Sequence, residues 1–518
     1  MIKLDEQLNA HARNLPERTA IIYHQERITY RQLKKEVNKF ANWLISVGVK
    51  KGDPVAVLCS KIPQLVITFL ATAKVGGIFM PLNYKLTASE MEQTLNIAIP
   101  KVIVGNYYHL NDYYALIETL IPKNRCVVIE PPESTPQQLG LFWASILESM
   151  PDTTPNIEVA ESDIIYLNYT SGTTGTPKAA MTSQTNLFWN TLSSIETLQL
   201  SSNDVHLCMF PAYGHPHELF CRSLFLGGTM VLQDYISPKS ISESMSRHKV
   251  TALMAPPTFM EMLVPTIENN EYDLSMLRIL EAGGMHTVDG LAKRIEKSIQ
   301  SSKSMTDNNC YFLPVWGSTE ATGIALASPL DITRPFGSMG KPCKYYEVKI
   351  VDEQGNECPI GEIGEMYIQG PAVVSGYYGN LEETQKAFQD GWYHTGDLVK
   401  KEADSYYYFV SRRAGLMKVA GMKVYPLEID NILSQHPKIQ EAVCVSAYDK
   451  IRGEIPLAVV VPKPGESITA DELKHYCRNR LADYKIPRKF EFWTELPKTL
   501  SGKLDLRTVK EKVKSSHK

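Results

Sequence analysis

At 518 residues the chain exceeds what one hydrophobic core usually serves, so at least two domains are expected. An apolar fraction of 43% and a charged fraction of 21% are ordinary for a globular protein, and a net charge of −3 excludes general affinity for nucleic acid or anionic membrane. Nine cysteines are scattered singly with no Cys-x-x-Cys pair, which points to buried thiols in a reducing cytoplasm rather than a zinc site or a disulfide framework.

The N-terminus, Met1 to Glu6, carries charge where a secretory leader needs an apolar core. Thr29 to Val47 has the pattern of an amphipathic helix, with Leu33, Val37, Phe40, Ala41 and Leu44 on one face and Gly48 as a stop. A β-type run, Val55 to Cys59, precedes a second helical pattern from Gln64 to Lys74. The most apolar stretch, Leu65 to Leu82, is interrupted by Lys74 and Gly76-Gly77 and reads as helix, turn and strand, with no membrane span. Short apolar strands, among them Val102–Val104, Cys126–Ile129 and Thr229–Leu232, alternate with helices to about residue 300, an α/β pattern with buried parallel sheets. Residues 130–160 are rich in Pro, Glu and Thr and read as a surface loop.

One stretch stands apart. From Thr170 through Ser171, Gly172, Thr173, Thr174, Gly175, Thr176 and Pro177 every residue is Ser, Thr, Gly or Pro, and Lys178 closes the run. Apolar segments on both sides predict strand, loop, strand. Glycines let backbone amides converge, hydroxyls add donors, and one Lys adds charge, a set suited to the phosphates of a nucleotide. Pro177 between Thr176 and Lys178 departs from the P-loop pattern.

From about 336 the pattern alternates in short strands, such as Glu347–Val351 and Gly364–Ile368, and predicts a β-rich region. A further break at Ser411–Gly415 leaves about 100 residues, enough for a small separate domain, with strands at Val443–Val445 and Leu457–Val461 and a helix from Ala470 to Leu481. The expected boundaries are therefore 1–411 and 412–518, and Lys510 to Lys518 reads as a frayed basic tail.

Three further segments combine with the loop: Trp316-Gly317-Ser318-Thr319-Glu320 after an apolar strand, Trp392-Tyr393-His394-Thr395-Gly396-Asp397, and Leu496-Pro497-Lys498-Thr499-Leu500-Ser501-Gly502-Lys503. In this order and spacing they resemble the adenylate-forming superfamily of acyl-CoA ligases, adenylation domains and firefly-type luciferases, from Ile28-Thr29-Tyr30 to Lys503. The resemblance implies a large N-terminal domain of two α/β subdomains and a β-rich one, and a small mobile α+β C-terminal domain. It implies that a carboxylic acid attacks the α-phosphorus of ATP, giving an acyl-adenylate and pyrophosphate, and that a thiol then displaces AMP. That thiol is coenzyme A or, alternatively, the phosphopantetheine of a separate carrier protein.

By the same resemblance, Thr170 to Lys178 cradles the β- and γ-phosphates, Thr319 meets the α-phosphate, and Glu320 with Thr170 holds Mg²⁺. Asp397 receives the ribose hydroxyls, with Arg412 on the same side; Trp316 and Gly317 belong to the nucleotide site, and Gly283 and Gly284 line the adenine and acyl site. Lys503 bridges the carboxylate and α-phosphate as a positioned charge, while Gly421 lines the pantetheine tunnel after rotation of the small domain.

Four positions depart from the family pattern. Ala179 replaces a common Gly, Gln184 a common His, and Ala414 the Asp or Lys of the hinge. Around Tyr213, Gly214 and His215, the expected substrate pocket, Gly214 falls where many acyl-CoA ligases have His. On an alternative alignment Tyr213 replaces the Asp that pairs an α-ammonium group, which argues against an ordinary α-amino acid.

Overall fold

The computed structural model describes residues 3–130, 139–170, 177–284, 286–287, 289–302, 310–330, 334–419, 422–449, 453–478, 480–498 and 504–516. Thr29 caps the helix Tyr30–Ser46 reciprocally with Gln32, whose amide nitrogen lies 3.2 Å from the Thr29 hydroxyl oxygen. The face carrying Leu33, Val37, Phe40, Ala41 and Leu44 is buried, as its spacing predicts. The apolar stretch folds as helix Pro63–Lys74 and strand Ile78–Pro81. No helix among the described residues is long and apolar enough to cross a membrane.

The predicted parallel strands sort into two sheets. One runs in the order Leu141–Phe142, Cys126–Ile129, Val102–Asn106, Pro54–Leu58, Ile78–Pro81, Ile164–Thr170, Lys178–Ser183, parallel except for the last pair. The other sets Thr19–Tyr23, Thr229–Leu232, Val205–Cys208, Ala252–Ala255, Ile279–Ala282 and Tyr311–Ser318 in parallel. At Tyr311–Ser318 it turns antiparallel: Gly323–Ala327 pairs back, and Ser338–Pro342, Tyr407–Arg412, Trp392–Lys401, Ile363–Gln369 and Glu347–Val351 continue the β-rich part.

A third, five-stranded sheet draws all its strands from Met417 onwards. Its largest pairing joins Ile439–Asp449 to Gly453–Pro462. The molecule thus has a large N-terminal part of two α/β layers and a β-rich layer, followed by a small α+β domain. The small domain meets the large one where helix Pro426–Ser434 packs on helix Asp289–Ser301, and where Lys423 Nζ lies 2.7 Å from Glu353 Oε1.

Two expectations are corrected. Within 130–160, Leu141–Phe142 is a strand and Trp143–Ser149 a helix, because Trp143 stacks on Phe40 at 4.5 Å and Ile146 joins the same core. The C-terminal tail is the helix Leu506–Ser516 rather than a frayed end. Its valines Val509 and Val513, one turn apart, are buried against Val443, Val459 and Leu496, and Asp505 accepts the amide of Thr508 at 3.1 Å. The cysteines are free thiols, all buried or half-buried.

Candidate active site

The motifs converge at the carboxyl ends of the parallel strands, where open α/β sheets bind ligands. Ile164–Thr170 delivers the Ser/Thr/Gly loop, Ile279–Ala282 delivers Gly283 and Gly284, and Tyr311–Ser318 delivers Trp316, Gly317, Thr319 and Glu320. Gly283 leaves no room for a side chain, because a Cβ there would sit 2.9 Å from the Val315 methyl. Gly284 has φ +82°, a backbone only glycine adopts readily. The missing Cβ of Gly283 is thus required by packing beneath the loop. Gly317 is equally crowded, by the Gly323 carbonyl at 2.5 Å from a built Cβ.

Asp397 is buried between two partners. Trp316 Nε1 donates to its Oδ2 at 2.8 Å, and Arg412 Nε lies 2.6 Å from Oδ1. Arg412 reaches it because Asp397 and Arg412 are cross-strand neighbours in the register of Trp392–Lys401 with Tyr407–Arg412. Burial pushes the Asp397 carboxyl up to about 6, with Arg412 and the Trp316 hydrogen bond opposing the shift.

Glu320 is also buried, and Tyr377 donates its hydroxyl to Glu320 Oε1 at 2.7 Å. The same Tyr377 ring lies 5.2 Å from the ammonium of Lys178, which pairs with Glu383. The strand leaving the loop is sewn to this segment by Met181 N to Gly376 O at 3.0 Å and Tyr378 N to Ala179 O at 2.8 Å. Glu320 and Lys178 therefore approach one side chain from opposite motifs.

His215 occupies a left-handed conformation, φ 52°, immediately before helix Pro216–Leu226. Its Nε2 lies 3.4 Å from the Thr319 hydroxyl and its Nδ1 3.5 Å from the Asn168 amide. It thus spans from the strand feeding the phosphate loop to the Thr319 turn. Tyr213 meets Tyr84 edge-on with ring centres 5.6 Å apart, and Gly214 closes the turn on Pro211 O at 2.9 Å. His217 is buried behind His215; its Nε2 donates to the Thr322 carbonyl at 2.6 Å, and burial lowers its pKa to about 4. His217 is a structural group.

The chain matches the AMP-binding enzyme family over residues 8–378 and that family's C-terminal domain over residues 428–503. It belongs to the AMP-binding enzymes. Among curated relatives of this AMP-binding enzyme, a feruloyl-CoA synthase of an Amycolatopsis species is 31% identical over 95% of both chains. An indoleacetate–CoA ligase of Aromatoleum aromaticum is 29% identical over 99% of this chain and 98% of its own. Among solved structures, the anthranilate CoA ligase AuaEII in complex with anthranoyl-AMP superimposes with TM-score 0.90 at 27% identity, covering 99% of this chain and 98% of that one. ATP-bound MatB from Rhodopseudomonas palustris gives TM-score 0.87 at 26% identity over 100% and 99%.

In this AMP-binding enzyme the structure brings together Thr170, Lys178, His215, Thr319, Glu320, Trp316, Asp397 and Arg412. Ser171, Gly172, Thr173, Thr174, Gly175 and Thr176 lie outside the described residues, as do Gly421 and Lys503. Sequence reasoning missed Tyr377, Glu383 and Asn168. The only local signal for Tyr377 was an aromatic pair between glycines, Gly376-Tyr377-Tyr378-Gly379. Gln184, at the start of helix Gln184–Thr197, serves as a packing residue, since its side-chain oxygen accepts the Leu4 amide at 3.3 Å.

Proposed function

We propose that Thr319, Glu320, Asp397, Arg412 and Lys503 carry the chemistry of an acid–thiol ligase. The activity is ATP-dependent conversion of a carboxylic acid to an acyl-adenylate with release of pyrophosphate, followed by thioester formation with coenzyme A. The observation that carries the residue roles is the Trp316–Asp397 hydrogen bond at 2.8 Å, which ties the proposed ribose carboxylate to the strand that runs into Thr319 and Glu320.

Both substrates of the first step are anions, so the residues act by neutralising charge and aligning the attack. Asp397 is placed to accept from ribose hydroxyls once Arg412 yields Oδ1. Thr319 offers its hydroxyl to the α-phosphate while His215 holds it from behind. Lys178 exchanges Glu383 for phosphate oxygens. Lys503 supplies a positive charge between the attacking carboxylate and the α-phosphorus.

The donors present fit Mg²⁺. Tyr377 takes one oxygen of Glu320, and the other makes no hydrogen bond within the described residues. One carboxylate with a Thr170 hydroxyl is the sparse hard-oxygen set a metal shared with substrate phosphates uses. Among the described residues no group of three or more His, Cys, Asp or Glu is arranged to hold a metal, consistent with a metal bound chiefly through the nucleotide. When bound, Mg²⁺ neutralises charge on the phosphates.

The domains divide at Arg412, and the small domain rotates about the turn Arg413–Gly415 between the two half-reactions. The cytoplasm is the compartment this reading assigns, supported by cysteines that are all unpaired. The acid is flat and apolar. Tyr213, which on the alternative alignment replaces an ammonium-binding Asp, meets Tyr84 in an aromatic edge, and three of the named proteins are a feruloyl-CoA synthase, an indoleacetate–CoA ligase and an anthranilate CoA ligase.

Acid-dependent ATP–pyrophosphate exchange across aryl, arylacetic, fatty and amino acids tests this reading, with coenzyme A and carrier proteins then offered as competing thiols. Exchange with aryl acids and acylation of coenzyme A is the expected result; absence of exchange with every acid would refute it. Lys503→Ala should abolish exchange yet spare thioester formation from supplied acyl-adenylate, and equal loss of both would reject the role of Lys503.

A further inference from the structure

Beneath the site lies a fully buried charge cluster that none of the motifs contains. Arg222 Nη1 lies 2.9 Å from both Oε1 and Oε2 of Glu281, and Arg222 Nη2 lies 3.7 Å from Glu218 Oε1. The three side chains are 2%, 1% and 5% exposed. Withdrawing ionisable side chains from water is expensive, and an apolar trio of similar volume would often be as stable or more so. Stability alone does not account for the cluster.

Its ends explain it better. Glu281 lies on strand Ile279–Ala282, directly before Gly283 and Gly284. Glu218 Oε1 accepts the amide of Ile324 at 3.1 Å, closing the turn that follows Thr319 and Glu320. That turn is strained: Thr322 is a β-branched residue at φ 62°, and Gly323 follows at φ 145°. Gly323 has no space for a side chain, since a Cβ would stand 2.5 Å from Glu218 Oε1. The turn is held by buried groups on several sides, with His217 on the Thr322 carbonyl at 2.6 Å, Tyr346 on the Ala321 carbonyl at 2.7 Å and Asn190 on the Ile324 carbonyl at 3.2 Å. Through Glu218, Arg222 adds a side-chain link between the turn and the strand bearing the glycine loop, beside that strand's direct pairing with Tyr311–Ser318.

We infer that Glu218, Arg222 and Glu281 are positioning residues that set the separation between the Thr319–Glu320 turn and the Gly283–Gly284 loop, so that the α-phosphate and adenine of ATP bind in register. The inference rests on the nucleotide-site reading above. A one-sided defect follows: loss of the cluster harms ATP binding more than acid binding, because on the site reading above the nucleotide draws on both segments and the acid pocket on Gly283–Gly284 and Tyr213–His215.

The test compares the wild type with Glu281→Gln, which keeps shape and an acceptor, and with Arg222→Met and Arg222→Lys. The readouts are Kd for ATP by calorimetry and KM for ATP and for the acid in exchange. The expected result is a five- to tenfold weaker ATP affinity in Glu281→Gln, KM for the acid within twofold, and partial recovery in Arg222→Lys of what Arg222→Met loses. An ATP affinity within twofold of wild type in folded Glu281→Gln overturns the inference, as does an equal rise in both KM values. Should Arg222→Met fail to fold, Glu281→Gln decides. Wild-type protein that binds ATP but exchanges with no acid would refute the ligase reading while leaving the calorimetric comparison intact.

Discussion

Trp316 and Asp397 are 81 residues apart in the chain, and the indole N–H of one donates to the buried carboxylate of the other at 2.8 Å. The contact crosses from the last parallel strand to the β-rich layer, so it fixes the Asp397 carboxylate relative to Thr319 and Glu320. It also leaves one oxygen of Asp397 to the exposed Arg412, the partner that the proposed ribose contact would replace.

This environment makes a pH prediction with opposite signs for activity and stability. The Asp397 carboxyl rises from 3.8 to about 6 on folding, so the folded state holds that proton more tightly than the unfolded chain. The burial penalty, about 3 kcal/mol, is complete above the folded value and is relieved as pH falls towards the unfolded one. Ribose recognition needs the ionised form. The kcat/KM for ATP should therefore fall along an acid limb below pH ~6, while wild-type stability gains on that of Asp397→Asn over the same interval. A pH profile and parallel thermal melts of both proteins check this; an acid limb that survives in Asp397→Asn would remove Asp397 from the role.

Tyr377 couples two motifs, and its hydroxyl and ring are separable. Tyr377→Phe keeps the ring under Lys178 but deprives Glu320 of a charge-assisted hydrogen bond, worth about 1.5–3 kcal/mol. Exchange activity should fall roughly 10- to 100-fold, and the Mg²⁺ concentration for half-maximal rate should rise. A Mg²⁺ titration of both proteins reads this directly, and an unchanged midpoint would argue against Glu320 as the metal-side carboxylate.

The helix Leu506–Ser516 should behave as part of the small domain's core. Val509→Ala removes a fully buried side chain and should cost about 2 kcal/mol. Calorimetric unfolding would show this as a lowered transition, whereas a frayed tail would leave the melt unchanged.

Short-range chemistry was legible along the chain. The helical face Leu33 to Leu44, the glycine-rich loop before Lys178 and the alternating strands after 336 each follow from steric and hydrogen-bonding rules acting within a few residues. The Thr319-Glu320, Asp397 and Lys503 segments say little singly; their order along the chain and the family resemblance it carries singled them out. The tail was misread for an equally local reason: Lys510 to Lys518 is polar in composition, and the value of Val509 and Val513 appears only when a sheet lies beneath them.

What closes the site was decided by contacts no local pattern encodes. Lys178 and Glu383 are 205 residues apart, Trp316 and Asp397 are 81, and Arg222 and Glu281 are 59. A buried ion pair is formed only when two elements pack and exclude water, because the same charges in an extended chain are solvated and indifferent to one another. Glycine turns and periodic apolar faces carry their reason in the residues themselves. The support beneath Thr319 and Glu320 has its reason in the packing of a helix, a strand and a strained turn drawn from distant parts of the chain.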